Sequence, residues 1–169
     1  VLFKYNLQTK SVQDLALLFP YTSQVKLKEG SNGIIYGVSS YGGSFNFGEL
    51  FSINVSNNTK TILHSFDLGD GRVPRTSPIL ASNGNLYGQT ELGGLNNYGV
   101  LYEFDITTNM YSKKVVFNGS GTGKNSKNSG LAELNSGKLY GYTASGGIYN
   151  EGTLFEYDIV NSTILKKHD

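Results

Sequence analysis

The chain of 169 residues has no cysteine, no tryptophan, three prolines, two histidines and one methionine. Without cysteine there is no disulfide, no thiolate metal site and no thiol nucleophile. Charge is also scarce. Lys plus Arg is 14 against Asp plus Glu at 13, a net charge of +1, which gives no field that would gather nucleic acid or an anionic membrane. The densest basic stretches, Lys113-Lys114 and Lys166-Lys167, are isolated pairs that suit solvated strand edges. The longest apolar runs, such as Leu15 to Phe19, are far shorter than the roughly 20 residues that span a bilayer, so no membrane helix is expected. The chain starts at Val1 in mid-pattern, without an initiator Met or a charged leader, and reads as a piece of something longer. Asn-x-Ser/Thr sequons occur at Asn54, Asn57, Asn118 and Asn161, as a sequence rich in Asn, Ser and Thr supplies by composition alone.

What is abundant is glycine, 22 residues, and it is periodic. Gly33-Ile34-Ile35-Tyr36-Gly37, Gly84-Asn85-Leu86-Tyr87-Gly88 and Gly137-Lys138-Leu139-Tyr140-Gly141 share one pattern, their tyrosines 51 and 53 residues apart. Each is followed by a glycine pair (Gly42-Gly43, Gly93-Gly94, Gly146-Gly147), a further glycine (Gly48, Gly99, Gly152) and an aromatic segment: Leu50 to Asn54, Leu101 to Asp105, Leu154 to Asp158. Leu2-Phe3-Lys4-Tyr5-Asn6 is the same segment once more. Its aromatic residues alternate with polar ones, the period of two of a pleated strand. The turns at Ser31-Asn32-Gly33, Ser82-Asn83-Gly84 and Asn135-Ser136-Gly137 fold a preceding strand back onto each Tyr-Gly strand. Outer strands follow at Leu15 to Phe19, Thr61 to Phe66, Lys113 to Phe117 and Thr163 to Lys166.

Each period therefore holds four antiparallel strands, here called a to d in chain order. A single such sheet cannot cover both of its faces, and radial stacking of neighbours does so. The expected fold is all-β, a β-propeller segment of about three and a half four-stranded blades. Residues 1–19 form the outer strands of an incomplete blade, and 24–66, 77–117 and 129–167 form three blades. Since three and a half blades close no ring, the remaining blades are expected from the same protein or from another chain.

Leu86-Tyr87-Gly88-Gln89-Thr90, followed by Gly93-Gly94 and Gly99-Val100-Leu101-Tyr102, with Leu63 to Asp67 and Asp70-Gly71 upstream, resembles the bacterial propeller repeat known as GloVer. The resemblance covers essentially the whole chain. More loosely the repeat is similar to Kelch blades, which pair a Gly-Gly with a downstream aromatic strand but usually carry a tryptophan. The GloVer resemblance implies an exported bacterial protein, extracellular or at the cell surface, whose family has no generally assigned molecular function. Departures from its pattern are Val38 and Ser39, where a Thr is wanted after Tyr-Gly-x, and an acid-free loop at Asn118 to Asn128.

Asp67-Leu68-Gly69-Asp70-Gly71 carries two carboxylates, too few for a calcium loop and better read as an inter-blade turn. His64 and His168 lie in outer strands at what the sequence suggests are non-equivalent positions, without a nucleophile or second histidine at a telling spacing. In Asn118 to Ser126, Lys124 is followed by Asn125 rather than by Ser or Thr, and no helix pattern follows, so a phosphate loop is excluded. No catalytic residue, metal ligand or cofactor is assigned. Propeller enzymes that need Cys (the galactose-oxidase copper site) or Trp (sialidase Asp-boxes) do not fit, nor do WD40 blades.

The remaining candidates lie in loops. Tyr41, Phe45, Phe47, Tyr98, Tyr149 and Asn150 belong to b–c loops, and Asp70, Arg72 and Arg75 to a d–a connection. Tyrosines with Asn and Arg suit sugar stacking and hydrogen bonding. The expected ligand-binding set is Tyr41, Phe47, Arg72, Arg75, Tyr98, Tyr149 and Asn150, in a non-catalytic module for adhesion, scaffolding or binding of a glycan or surface protein. Two other readings stay open: a fragment of a propeller hydrolase or lyase with its catalytic groups elsewhere, and a structural repeat of a surface assembly.

Overall fold

The structure, a computed structural model, describes residues 3–14, 25–31, 33–127, 129–135 and 137–169. Among these residues there are fourteen strands and no helix. Strands β1 (Phe3–Asn6) and β2 (Ser11–Asp14) form a two-stranded sheet. The first four-stranded sheet is β3 (Val25–Glu29), β4 (Ile34–Ser39), β5 (Glu49–Asn54) and β6 (Thr59–Ser65). The second is β7 (Ile79–Leu80), β8 (Leu86–Gln89), β9 (Val100–Asp105) and β10 (Met110–Val116). The third is β11 (Leu131–Asn135), β12 (Lys138–Thr143), β13 (Thr153–Asp158) and β14 (Thr163–His168). Each is an antiparallel meander whose spatial order equals its sequence order. The outer strand expected at Leu15 to Phe19 lies outside the described residues. Ser11–Asp14 is the described partner of β1, with Phe3 opposite Asp14.

The c–d hairpins share one closing device. Asn6, Asn54, Asp105 and Asp158 each accept backbone N–H groups two or three residues on, Gln8, Ser56, Thr107 and Val160 among the donors, at 2.8 to 2.9 Å. Such Asx turns are why a short polar residue ends every aromatic strand. The Tyr-Gly glycines answer to packing across the sheet. A Cβ on Gly37 or Gly141 would lie 2.6 Å from the Phe51 or Phe155 ring, and one on Gly88 would lie 2.2 Å from the Tyr102 hydroxyl. The aromatic side chain of strand c thus occupies the space above the glycine of strand b.

Two apolar clusters join the three sheets. One holds Tyr36, Val38, Leu50 and Phe66 of the first repeat with Leu86, Val100, Tyr102 and Phe104 of the second. The other holds Ala81, Tyr87, Leu101 and Phe117 of the second repeat with Leu139, Phe155 and Tyr157 of the third. Tyr36 and Tyr87 occupy one repeat position, as do Leu50 and Leu101, Phe66 and Phe117, Leu86 and Leu139. The first sheet therefore packs its trailing face on the leading face of the second, and the second packs its trailing face on the leading face of the third. In β9 the alternation sends Val100, Tyr102 and Phe104 to one cluster and Leu101 to the other, so the middle sheet is buried on both faces. Full burial of such a side chain contributes about 1.5–3 kcal/mol, which a sheet with a free face forgoes.

The histidines differ from the expectation drawn from sequence. His64 lies opposite Leu50 and His168 opposite Leu154, the same position of the repeat, and each stands 28 residues after its tyrosine. Their surroundings differ instead. His64 is stacked flat on Tyr111 of the next sheet at 3.8 Å, whereas His168 is exposed.

Candidate functional site: the loop face

In an antiparallel meander the b–c loops and the d–a connections leave the sheet at the same end, so all the loop candidates share one face. The b–c loops are built alike. Asn46, Asn97 and Asn150 adopt φ of 58, 54 and 60°, a left-handed conformation that asparagine tolerates better than most residues. Their side-chain oxygens accept from Gly42, Gly93 and Gly146 N–H at 3.0, 2.9 and 3.2 Å. Gly48, Gly99 and Gly152 N–H donate back to the carbonyls of Gly42, Gly93 and Gly146 at 3.0 to 3.1 Å. At the start of each loop the hydroxyls of Ser39, Thr90 and Thr143 donate to the carbonyl two residues on. Ser39 thus performs the part expected of a threonine, which accounts for that departure from the repeat pattern.

The d–a connections clasp this frame to its neighbours. Arg72 pairs with Leu92 and Lys124 with Ser145 in short backbone bridges to the b–c loop of the following repeat. In the other direction Val73 N–H donates to the Phe47 carbonyl, and Asn125 N–H to the Tyr98 carbonyl, both at 2.8 Å. The cation follows the backbone. Arg72 lies 5.6 Å from the Phe47 ring centroid, and Lys124 lies 5.5 Å from that of Tyr98. Such pairs contribute about 0.5–1 kcal/mol at a partly exposed site. Arg72 also donates from Nε to Asn97 Oδ1 at 3.3 Å, and Arg75 is ion-paired with Glu91.

The seven sequence candidates therefore fall into two groups. Phe47, Arg72, Arg75, Tyr98 and Asn150 are held in contacts between or within loops, whereas Tyr41 and Tyr149 are 45% and 74% exposed. Beside them the structure exposes Phe45, Leu95 and Ile148 at the tips of the three b–c loops. Leu95 and Ile148 carry no polar group for a sequence motif to register; their common place after the glycine pair was the available signal. Lys124, dismissed with the phosphate loop, proves to be the counterpart of Arg72. Its segment is closed on itself, Asn118 Oδ1 accepting from Gly121 and Thr122 N–H at 2.9 Å. Asp67 and Asp70 serve the inter-blade turn, Asp67 Oδ1 accepting from Asp70 N–H at 2.6 Å. Among the described residues no three His, Cys, Asp or Glu side chains gather as a metal site would require.

Four-stranded meanders stacked trailing face on leading face, with b–c and d–a loops on one rim, define a β-propeller segment. The chain belongs to the Gloeobacter/Verrucomicrobia repeat family, whose pattern it matches over residues 1–169. No curated protein sequence matches it. Among solved structures it is similar to TolB from Acinetobacter baumannii, with 17% identity and a TM-score of 0.51, over 79% of this chain and 29% of that one. It is also similar to a puromycin-hydrolysing peptidase of Mycobacterium tuberculosis, with 12% identity and a TM-score of 0.55, over 81% of this chain and 19% of that one. The chain spans less than a third of the length of either protein, and the likeness is one of fold.

Proposed function

We propose that the chain is a non-catalytic recognition module of an exported bacterial protein, working at the cell surface and binding glycan through its loop face. The observation that carries this reading is the exposure of Tyr41, Phe45 and Tyr149 on loops whose backbones are fixed by the same hydrogen bonds in every repeat. Rings held on such a frame offer apolar faces to sugar C–H groups at small entropic cost. The near-neutral charge agrees with a neutral polymer as ligand better than with a polyanion.

A glycan array probed with the chain tests this. Specific binding without product release is expected, with Tyr149→Ala and Tyr41→Ala each weakening it at least about tenfold while leaving the melting temperature unchanged. Absence of binding across the array, or conversion of a bound glycan, would overturn it.

A further inference from the structure

The three loop asparagines are tied by one end of the amide only. A backbone N–H can only donate, so the atom of Asn46, Asn97 and Asn150 that faces Gly42, Gly93 and Gly146 N–H is the side-chain oxygen. At Asn97 the same oxygen also accepts from Arg72 Nε at 3.3 Å. The Nδ2 group at the other end of each amide makes no hydrogen bond among the described residues, and all three asparagines are exposed. Because the oxygen is anchored and the backbone is held left-handed, the direction of these N–H donors is set before any ligand arrives. An exposed apolar side chain precedes each donor by one or two residues: Phe45 in the first loop, Leu95 in the second, Ile148 and Tyr149 in the third. One apolar surface and one free amide donor thus recur in every b–c loop.

The step from loop to loop repeats as well. At the first seam Gly94 N–H donates to the Leu68 carbonyl at 2.9 Å and Glu91 N–H to that of Val73 at 3.2 Å. At the second, Gly147 N–H donates to the Gly119 carbonyl at 2.8 Å and Ala144 N–H to that of Asn125 at 3.0 Å. With the bridges of Arg72 to Leu92 and Lys124 to Ser145, these bonds hold neighbouring loops in the same relation at both seams. Face-packed sheets stand about 10 Å apart, more than a single sugar ring spans. One loop by itself offers one or two apolar side chains and one donor, too little to hold a ligand against the freedom lost on binding. A ligand that presents the same groups at a regular interval engages all three loops, each later contact being made at high effective concentration. We propose that Asn46, Asn97 and Asn150 form a row of donors to the oxygens of one extended, uncharged polysaccharide strand that crosses the loop face from repeat to repeat. Its C–H surfaces rest on Phe45, on Leu95, and on Ile148 with Tyr149. The proposal rests on the glycan reading above and narrows it to an internal stretch of a linear polymer, as against a chain end or a single sugar.

The middle loop separates this proposal from the glycan reading, because it holds neither Tyr41 nor Tyr149. The probes are cello-, xylo- and chito-oligosaccharides, from disaccharide to octasaccharide, titrated calorimetrically into the 169-residue chain. Within a series that binds, affinity is expected to rise at least about tenfold from the disaccharide to the octasaccharide. Asn97→Asp keeps an oxygen for Gly93 N–H, removes the donor and tolerates the left-handed backbone. It is expected to weaken octasaccharide binding about fivefold, to leave disaccharide binding within about twofold, and to leave the melting temperature unchanged. Should that variant lose stability, Leu95→Ser, at a side chain 92% exposed, carries the same test with an expected loss of about threefold for the octasaccharide. Equal affinity for short and long probes overturns the strand and leaves the glycan reading in place. So does octasaccharide binding that neither middle-loop variant weakens while Tyr149→Ala does. Failure of all three series to bind overturns the strand; the glycan array decides the broader reading by itself.

Discussion

Strands β9 and β1 occupy one position of the repeat and carry one alternation, yet Tyr102 and Phe104 are 0% and 1% exposed while Phe3 and Tyr5 are 59% and 48% exposed. β9 has a strand on either side and a sheet against either face; β1 has β2 alone among the described residues. The difference lies in what surrounds the strand, since the local pattern is the same. In such an array the stability of a segment is a sum over neighbours, and identical side chains are worth different amounts at different places along it.

Alanine substitution at one repeat position gives the largest contrast. Phe104→Ala empties a packed site between two sheets and is expected to cost about 3–5 kcal/mol. Tyr5→Ala, at the corresponding place in β1, is expected to cost less than about 1 kcal/mol. Urea denaturation of the two variants measures both, and equal losses would show that β1 is as well supported as β9.

A smaller contrast uses a polar triad that occurs twice. Glu103 accepts from the Tyr87 hydroxyl at 2.5 Å and Asn85 at 2.8 Å and is paired with Lys114 at 2.6 Å. Burial acts to raise its pKa, but the bonds from Lys114, Tyr87 and Asn85 outweigh it and bring the carboxyl down to about 2. Glu156 repeats this with Tyr140 at 2.9 Å and Lys167 at 3.2 Å on the trailing face of the third sheet, on which no sheet is packed among the described residues. Glu103→Gln is expected to lose about 1–3 kcal/mol at pH 7, and Glu156→Gln to leave stability within measurement error. The folded-state pKa of Glu103 is depressed, so its contribution is complete above the unfolded value near 4.3 and disappears as pH falls through about 2. The gap between the variants is accordingly expected to close in acid; a gap that persists at pH 2 would mean that packing, not charge, sets it.

The repeat was legible in sequence because its signals are local: an Asn-Gly turn, a glycine before an aromatic strand, a polar residue at each strand end. Those features fixed the four-stranded unit and the common loop face. What escaped reading depends either on pairs far apart in the chain or on aligning the repeats with one another. Arg72 and Phe47 are 25 residues apart, one in the connection between the first two sheets and the other in a b–c loop, so neither shows from its neighbours that it is held by the other. Asn150 reads as a hydrogen-bonding group for a ligand, whereas its oxygen serves Gly146 four residues back, a role visible only when Asn46 and Asn97 are aligned with it. Ser39 reads as a departure because letters were compared, while the loop uses only the hydroxyl.

The two histidines give the smallest effect and the cleanest comparison, since sequence position and residue type are both held constant. His64 is partly buried, stacked on Tyr111 and edge-on to Phe66, with Nε2 3.3 Å from Asp70 Oδ2 at ion-pair distance but off the hydrogen-bond line. Burial lowers its pKa, against the opposing pull of Asp70 and Asp67; Asp70 is also 3.9 Å from the Lys113 ammonium. The unfolded chain therefore takes up this proton at higher pH than the folded one, near 6.5, and stability falls as pH drops from there until the folded imidazole also titrates. His64→Gln is expected to flatten that acid-side slope. Chemical denaturation of the variant and the parent chain between pH 5 and pH 7 reads the difference. A steeper slope in His64→Gln would mean that Asp70 holds the imidazolium in the folded state, and that the next sheet closes over a charged ring rather than a neutral one.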